Sequence, residues 1–149
     1  SAKFEYDKKY GIMKLDRVIY TSTHYSANYG FITRTLADDN DPLDILVLCK
    51  EKMVPGMLMR ASIIGVFLMV VDDEINEKIL AVSCDDPSYR HIKNVKQLPE
   101  HLVKEITHFF EVYKELEGKK TKVMKFKDKG DALKILDNCQ SAYDKEFKQ

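Results

Sequence analysis

Through residue 83 the apolar residues come in short runs broken by turn signals, and only after Leu98-Pro99 do they take up helical spacing. Strands first and helices last restricts the chain most, since it points away from an alternating β/α layout and toward an α+β fold. The strand-like runs cover 3–6, 14–20, 30–33, 45–49, 57–71 and 78–82, separated by Tyr10-Gly11, Asp41-Pro42, Pro55-Gly56 and Asp86-Pro87. Gly65, inside the longest run, predicts a bulge or sharp bend of the kind barrel strands need, so a barrel is expected over a sandwich. Leu102, Ile106, Phe109, Phe110, Tyr113 and Leu116 share one helical face that begins at Pro99. A second helix, from 130 to about 147, carries the stripe Ala132, Ile135, Leu136, Cys139 and Tyr143. The basic segment 118–129 between them reads as a solvated loop or hairpin with no binding role.

A chain of 149 residues suits one compact domain over 1–149. Its 24 basic and 24 acidic side chains cancel, which gives no general pull toward nucleic acid or an anionic membrane. Any anion site must therefore be local. Cys49, Cys84 and Cys139 form no CxxC pair and no zinc pattern, so they read as reduced thiols of a cytoplasmic protein. No apolar stretch is long enough for a membrane span, and Ser1-Ala2-Lys3 does not open a signal peptide.

Asp39-Asn40-Asp41-Pro42-Leu43-Asp44 places three carboxylates within six positions, ahead of the apolar run Ile45-Leu46-Val47-Leu48. Like charges held this close favour a neutralising cation, and oxygen ligands suit Mg²⁺, Mn²⁺ or Ca²⁺. Asp, Asn and Pro are also turn formers, so a solvated turn leading into a strand stays open as a second reading. An EF-hand does not fit, because Pro42 and Leu43 stand where a ligand and its glycine belong, and Lys50 replaces the closing Glu. Groups able to hold phosphate surround the triplet in sequence order: Lys3 beside Glu5, Arg17, Asn28-Tyr29-Gly30, Lys78, and Tyr113-Lys114. Taken singly, the lysines are ordinary solvent-facing strand residues, the tyrosines core aromatics and Arg17 a surface ion-pair partner.

In this order the motifs resemble the soluble inorganic pyrophosphatases of the first type, magnesium-dependent enzymes that split pyrophosphate into two phosphates. The segment 39–45 fits that family's signature, and Lys3-Phe4-Glu5, Leu15-Asp16-Arg17, Asn28-Tyr29-Gly30-Phe31, Pro55-Gly56, the run 78–82, Asp86-Pro87 and the run 108–114 follow in its order. The resemblance covers nearly the whole chain and lowers the weight of the solvated-turn reading. It implies a five-stranded OB-like barrel flanked by two helices, with a polar cavity at the barrel mouth. It also implies Asp39 and Asp44 as metal ligands and Asp41 as the group that orients and deprotonates the attacking water. Lys3, Tyr29 and Lys78 would hold the phosphoryl group under attack, Arg17, Tyr113 and Lys114 the leaving phosphate, and Glu5 would support Lys3. Mg²⁺ is the implied cofactor, with Mn²⁺ as an alternative, and a homo-oligomer, hexamer or dimer, is the implied assembly.

The chain departs from the family pattern two and seven residues before Lys78, where Asn76 and Val71 replace metal-binding aspartates. Asn76 keeps one carbonyl oxygen as a weak ligand, Val71 keeps none, and Asp72, Asp73 or Glu74 would compensate if the loop shifted. The resemblance would place a further family strand upstream of Lys3, ahead of where this sequence begins, and Ser26 stands where a proline is usual. Fewer charged ligands predict weaker metal binding and reduced turnover. The competing reading is a catalytically weak or inactive relative that binds phosphate or a partner. A nucleic-acid role for an OB-like barrel is disfavoured by the acidic mouth and neutral charge.

Overall fold

The computed structural model describes residues 11–20, 26–50 and 58–147, with the backbone alone at 11–20, 26, 113, 123 and 124. Six strands are present: β1 (Gly11–Tyr20), β2 (Ser26–Ile32), β3 (Asp44–Leu48), β4 (Leu58–Val71), β5 (Glu74–Ser83) and β6 (Thr121–Lys127). Two helices follow the sheet-forming half, α1 (Glu100–Leu116) and α2 (Lys129–Phe147). The strand expected over 3–6 lies outside the described residues. Strand order is β1-β2-β3-β5-β4-β6, and β1 also pairs with the start of β4. Five strands thus close a ring, with β6 added beside the far half of β4. The five-stranded barrel with two flanking helices is the architecture expected from sequence.

Segment 118–129 departs from its expectation. Residues 121–127 form a full strand antiparallel to β4, and Phe126 stacks on Phe67 with ring centroids 5.6 Å apart. Lysines on an edge strand discourage pairing with another chain, so a charge run there is compatible with sheet structure.

β3 and β5 run parallel, Leu46 opposite Leu80 and Ile45 opposite Ile79, and both are apolar on two faces. One face of each meets α1 and the other meets α2, as expected of strands covered on both sides. Leu46, Leu48, Leu80 and Val82 join Leu102, Ile106 and Phe110 of α1 in one core cluster. Ile45, Val47, Ile79 and Ala81 join Ala132, Leu136 and Cys139 of α2 in the other. β4 serves both clusters by changing phase. Its pairing with β5 slips between Ile63 and Gly65, so Ala61, Ile63 and Val66 face α2 while Ile64, Phe67 and Met69 face α1. A β-carbon on Gly65 would stand 2.7 Å from the Lys127 carbonyl oxygen and 2.8 Å from Val95 Cβ, so this bulge requires glycine.

β4 and β5 are joined by Asp72 and Asp73, with φ of 48° and 66° between the paired residues Val71 and Glu74. Two consecutive positive φ values mark the two-residue hairpin turn whose twist matches its strands. Among the described residues no helix is long and apolar enough to cross a membrane.

Candidate active site

Parallel pairing of β3 with β5 builds the centre of the site. Asp44 precedes Leu46 by two residues and Lys78 precedes Leu80 by two, so the register Leu46–Leu80 sets the two side chains side by side on one face. Lys78 Nζ lies 2.7 Å from Asp44 Oδ2 and donates to the Tyr29 hydroxyl at 2.8 Å. Only 1 % of Lys78 is exposed, which corrects its bland reading as a solvent-facing strand lysine. Burial pulls its pKa below the ordinary lysine value, and the Asp44 charge opposes that pull.

The loop carrying Asp39 and Asp41 is held by its own backbone. Ala37 N–H donates to the Asp41 carbonyl at 2.8 Å, Asn40 N–H to the Ala37 carbonyl at 3.0 Å, and Asp41 N–H to Asp39 Oδ1 at 3.0 Å. Thr35 Oγ1 accepts from Leu43 N–H at 2.9 Å, and Leu36 N–H donates to the Cys139 carbonyl at 2.9 Å, which ties the loop to α2. Asn40 takes φ of 65°, a conformation that asparagine tolerates better than most residues.

A cavity of about 470 Å³ opens beside this loop, walled by Asp39, Asp44, Val71, Asp72, Asn76 and Lys119 among others. Asp38, Glu74 and Glu77 also line it, so the wall is strongly acidic. Burial and the Asp38 charge raise the Glu77 pKa, partly countered by Lys127. Among the described residues no three Asp, Glu, His or Cys side chains come together in a group that could hold a metal ion. The donors on the wall are oxygens of carboxylates and amides, the set that suits a hard ion still holding several of its waters.

Expected site residues thus fall into four groups. Asp39, Asp44, Asn76 and Asp72 share the cavity wall, Lys78 attaches to it through Asp44, and Tyr29 in turn through Lys78. Lys114, near the end of α1, pairs with Glu117 at 3.5 Å and is close enough for its charge to be felt at Lys78. Tyr113 precedes it on α1, and the β1 backbone sets Arg17 opposite Tyr29. Asp41 is exposed, in the loop between the lining residues Asp39 and Pro42, and is not itself among the residues that line the cavity. Lys3 and Glu5 lie outside the described residues. Sequence reasoning did not single out Glu77, Asn138 or Lys119 on the wall. Glu77 and Asn138 had no local signal, whereas Gly118, a helix-stop residue, marked where Lys119 would emerge.

The profile described as inorganic pyrophosphatase matches residues 1–144. Soluble inorganic pyrophosphatase 5 of Arabidopsis thaliana is 45 % identical over 141 residues, 95 % of this chain and 65 % of the relative. The chain therefore spans slightly under two thirds of that plant protein. An inorganic pyrophosphatase of Halalkalibacterium halodurans is 43 % identical over 95 % of this chain and 86 % of its own length. The solved inorganic pyrophosphatase of Helicobacter pylori superposes with a TM-score of 0.85 at 29 % identity, covering 95 % of this chain and 98 % of that one.

Proposed function

The chain belongs to the inorganic pyrophosphatase family, and from that premise we propose that it hydrolyses pyrophosphate to two phosphates with a metal-activated water. The observation that carries this reading is the buried Lys78 held between Asp44 and Tyr29 at the edge of an acidic cavity. Asp39 and Asp44 would hold the divalent cation, Mg²⁺ or alternatively Mn²⁺, which when bound lowers the pKa of water and offsets phosphate charge.

The chain's own groups supply the rest. Lys78, desolvated and already donating to Tyr29, offers its ammonium to the phosphoryl oxygens in a dry setting where such contacts are strong. Lys3 joins them, steadied by Glu5. Asp41 orients the attacking water and takes its proton on the carboxylate. Arg17, Tyr113 and Lys114 hold the departing phosphate, with Arg17 suited to grip two oxygens at once. Val71 and Asn76 bring no carboxylate to the wall, so metal binds more weakly than with aspartates there. A cytoplasmic homo-oligomer belongs to the same reading.

Phosphate release from pyrophosphate, titrated with Mg²⁺ and Mn²⁺ beside Asp41→Asn, tests it. The expected result is turnover that saturates with metal and falls at least about a hundredfold in the variant, in line with the loss of a general base. Equal release by both proteins would remove Asp41 from the mechanism. No release at any metal concentration would leave a phosphate-binding relative.

A further inference from the structure

The segment set aside as a solvated loop begins with a helix stop of defined geometry. Gly118, with φ of 76°, donates its N–H to the Glu115 carbonyl at 2.9 Å, and Lys119 donates its N–H to the Lys114 carbonyl at 2.9 Å. These two bonds form a Schellman motif, in which the last residue usually makes an apolar contact with the residue whose carbonyl it meets. Here both positions are lysines, so the motif sets Lys119 and Lys114 on one side of the helix end. Lys119 stands on the cavity wall with Asp39, Asp44 and Asn76, and among the described residues it makes no salt bridge.

A second device fixes this turn in place. At the β4–β5 hairpin tip, Asp72 N–H donates to the Lys120 carbonyl at 3.1 Å, and Asp72 Oδ1 accepts from Lys120 N–H at 3.3 Å. Both atoms that Asp72 offers its neighbour are thus used on backbone. We propose that Lys119 is a further phosphate-binding group of this site, and that Asp72 is a positioning residue whose clamp on Lys120 holds Lys119 over the cavity. The inference rests on the pyrophosphate reading and changes the expected part of Asp72, from compensating metal ligand to structural clamp. A flexible ammonium suits a phosphate that must be gripped and then released, and it balances the carboxylates across the cavity.

Steady-state hydrolysis of pyrophosphate by the full chain tests both roles. Lys119→Met should raise KM about tenfold with kcat within about threefold, the size expected for one lost charge-assisted bond. Lys119→Arg should recover most of the loss, while Lys122→Met, an exposed lysine on β6 away from the wall, serves as the surface-charge control. Asp72→Gly keeps the positive φ but removes the acceptor oxygen, and should raise KM in the same direction. Asp72→Asn, whose amide oxygen can accept the same bond, should rescue it. The double variant Asp72→Gly/Lys119→Met should be no worse than Lys119→Met alone, because Asp72 acts through Lys119.

Unchanged KM in Lys119→Met, an equal rise in Lys122→Met, or multiplying effects in the double variant would overturn the proposal. Equal damage from Asp72→Asn and Asp72→Gly, with a raised metal requirement, would return Asp72 to the metal. If the unmodified chain releases no phosphate, the hydrolytic reading fails by itself. Calorimetric binding of pyrophosphate then decides this inference: the same ranking of variants supports it, and equal affinity of Lys119→Met overturns it.

Discussion

At the scale of single residues, burial decides which charges become chemistry. Lys78 and Lys122 are both lysines on strands of the sheet, yet one is sealed between a carboxylate and a phenol and the other faces solvent. Cys139 illustrates the same rule for a thiol. Burial first, then the Glu77, Asp38 and Asp39 charges, push its pKa from 9.0 up to about 11. A thiol whose pKa is higher in the fold than in the unfolded chain keeps its proton longer when folded. Its contribution is intact below pH 9.0 and is lost as pH rises toward about 11. The loss should approach about 2–3 kcal/mol across that window. Urea unfolding of metal-free protein at a series of pH values should show this fall, and Cys139→Ala should remove it. An identical pH slope in the two proteins would mean that Cys139 is not the group responsible.

At the scale of elements, the Gly65 bulge lets one strand serve two cores. Without the phase change, Phe67 and Met69 would turn toward α2, away from the cluster they share with Phe110. Gly65→Ala should destabilise the fold by about 2–3 kcal/mol, since the added methyl meets atoms that must shift. Val95→Ala should relieve only part of that cost, because it removes the Cγ1 contact at 2.9 Å but leaves the residue's own Cβ at 2.8 Å and the Lys127 carbonyl at 2.7 Å. Denaturant midpoints of the two single variants and the double variant check it, and full relief by Val95→Ala would show that the carbonyl contact is not limiting. The bulge itself was legible, since a lone glycine in a long apolar run has few other uses. β6 was not legible, because its lysines hide a strand whose partner lies fifty residues earlier.

At the scale of the whole molecule, the ring β1-β2-β3-β5-β4 brings residues 39, 44, 72, 76 and 119 to one cavity. A ligand that binds only the folded chain must stabilise it by mass action. Mg²⁺ or Mn²⁺ at about a hundredfold excess over its Kd should therefore add about 2.7 kcal/mol, a Tm rise of about 5–10 °C for a chain of this size. Thermal melts with and without chelator check it, and an unchanged Tm in saturating metal would argue that Asp39 and Asp44 hold no cation.

The succession of strands up to β5, the two helices, the acidic triplet and the run of phosphate-binding groups were all present in the sequence, because period and residue type are local properties of the chain. Family membership followed from the same ordered motifs. Lys78's burial, the hydrogen bonds of Asp72 to Lys120 and the arrival of Lys119 at the cavity were decided by tertiary structure alone. Each depends on which distant strand or turn stands opposite, and register and closure are set by packing across the whole barrel.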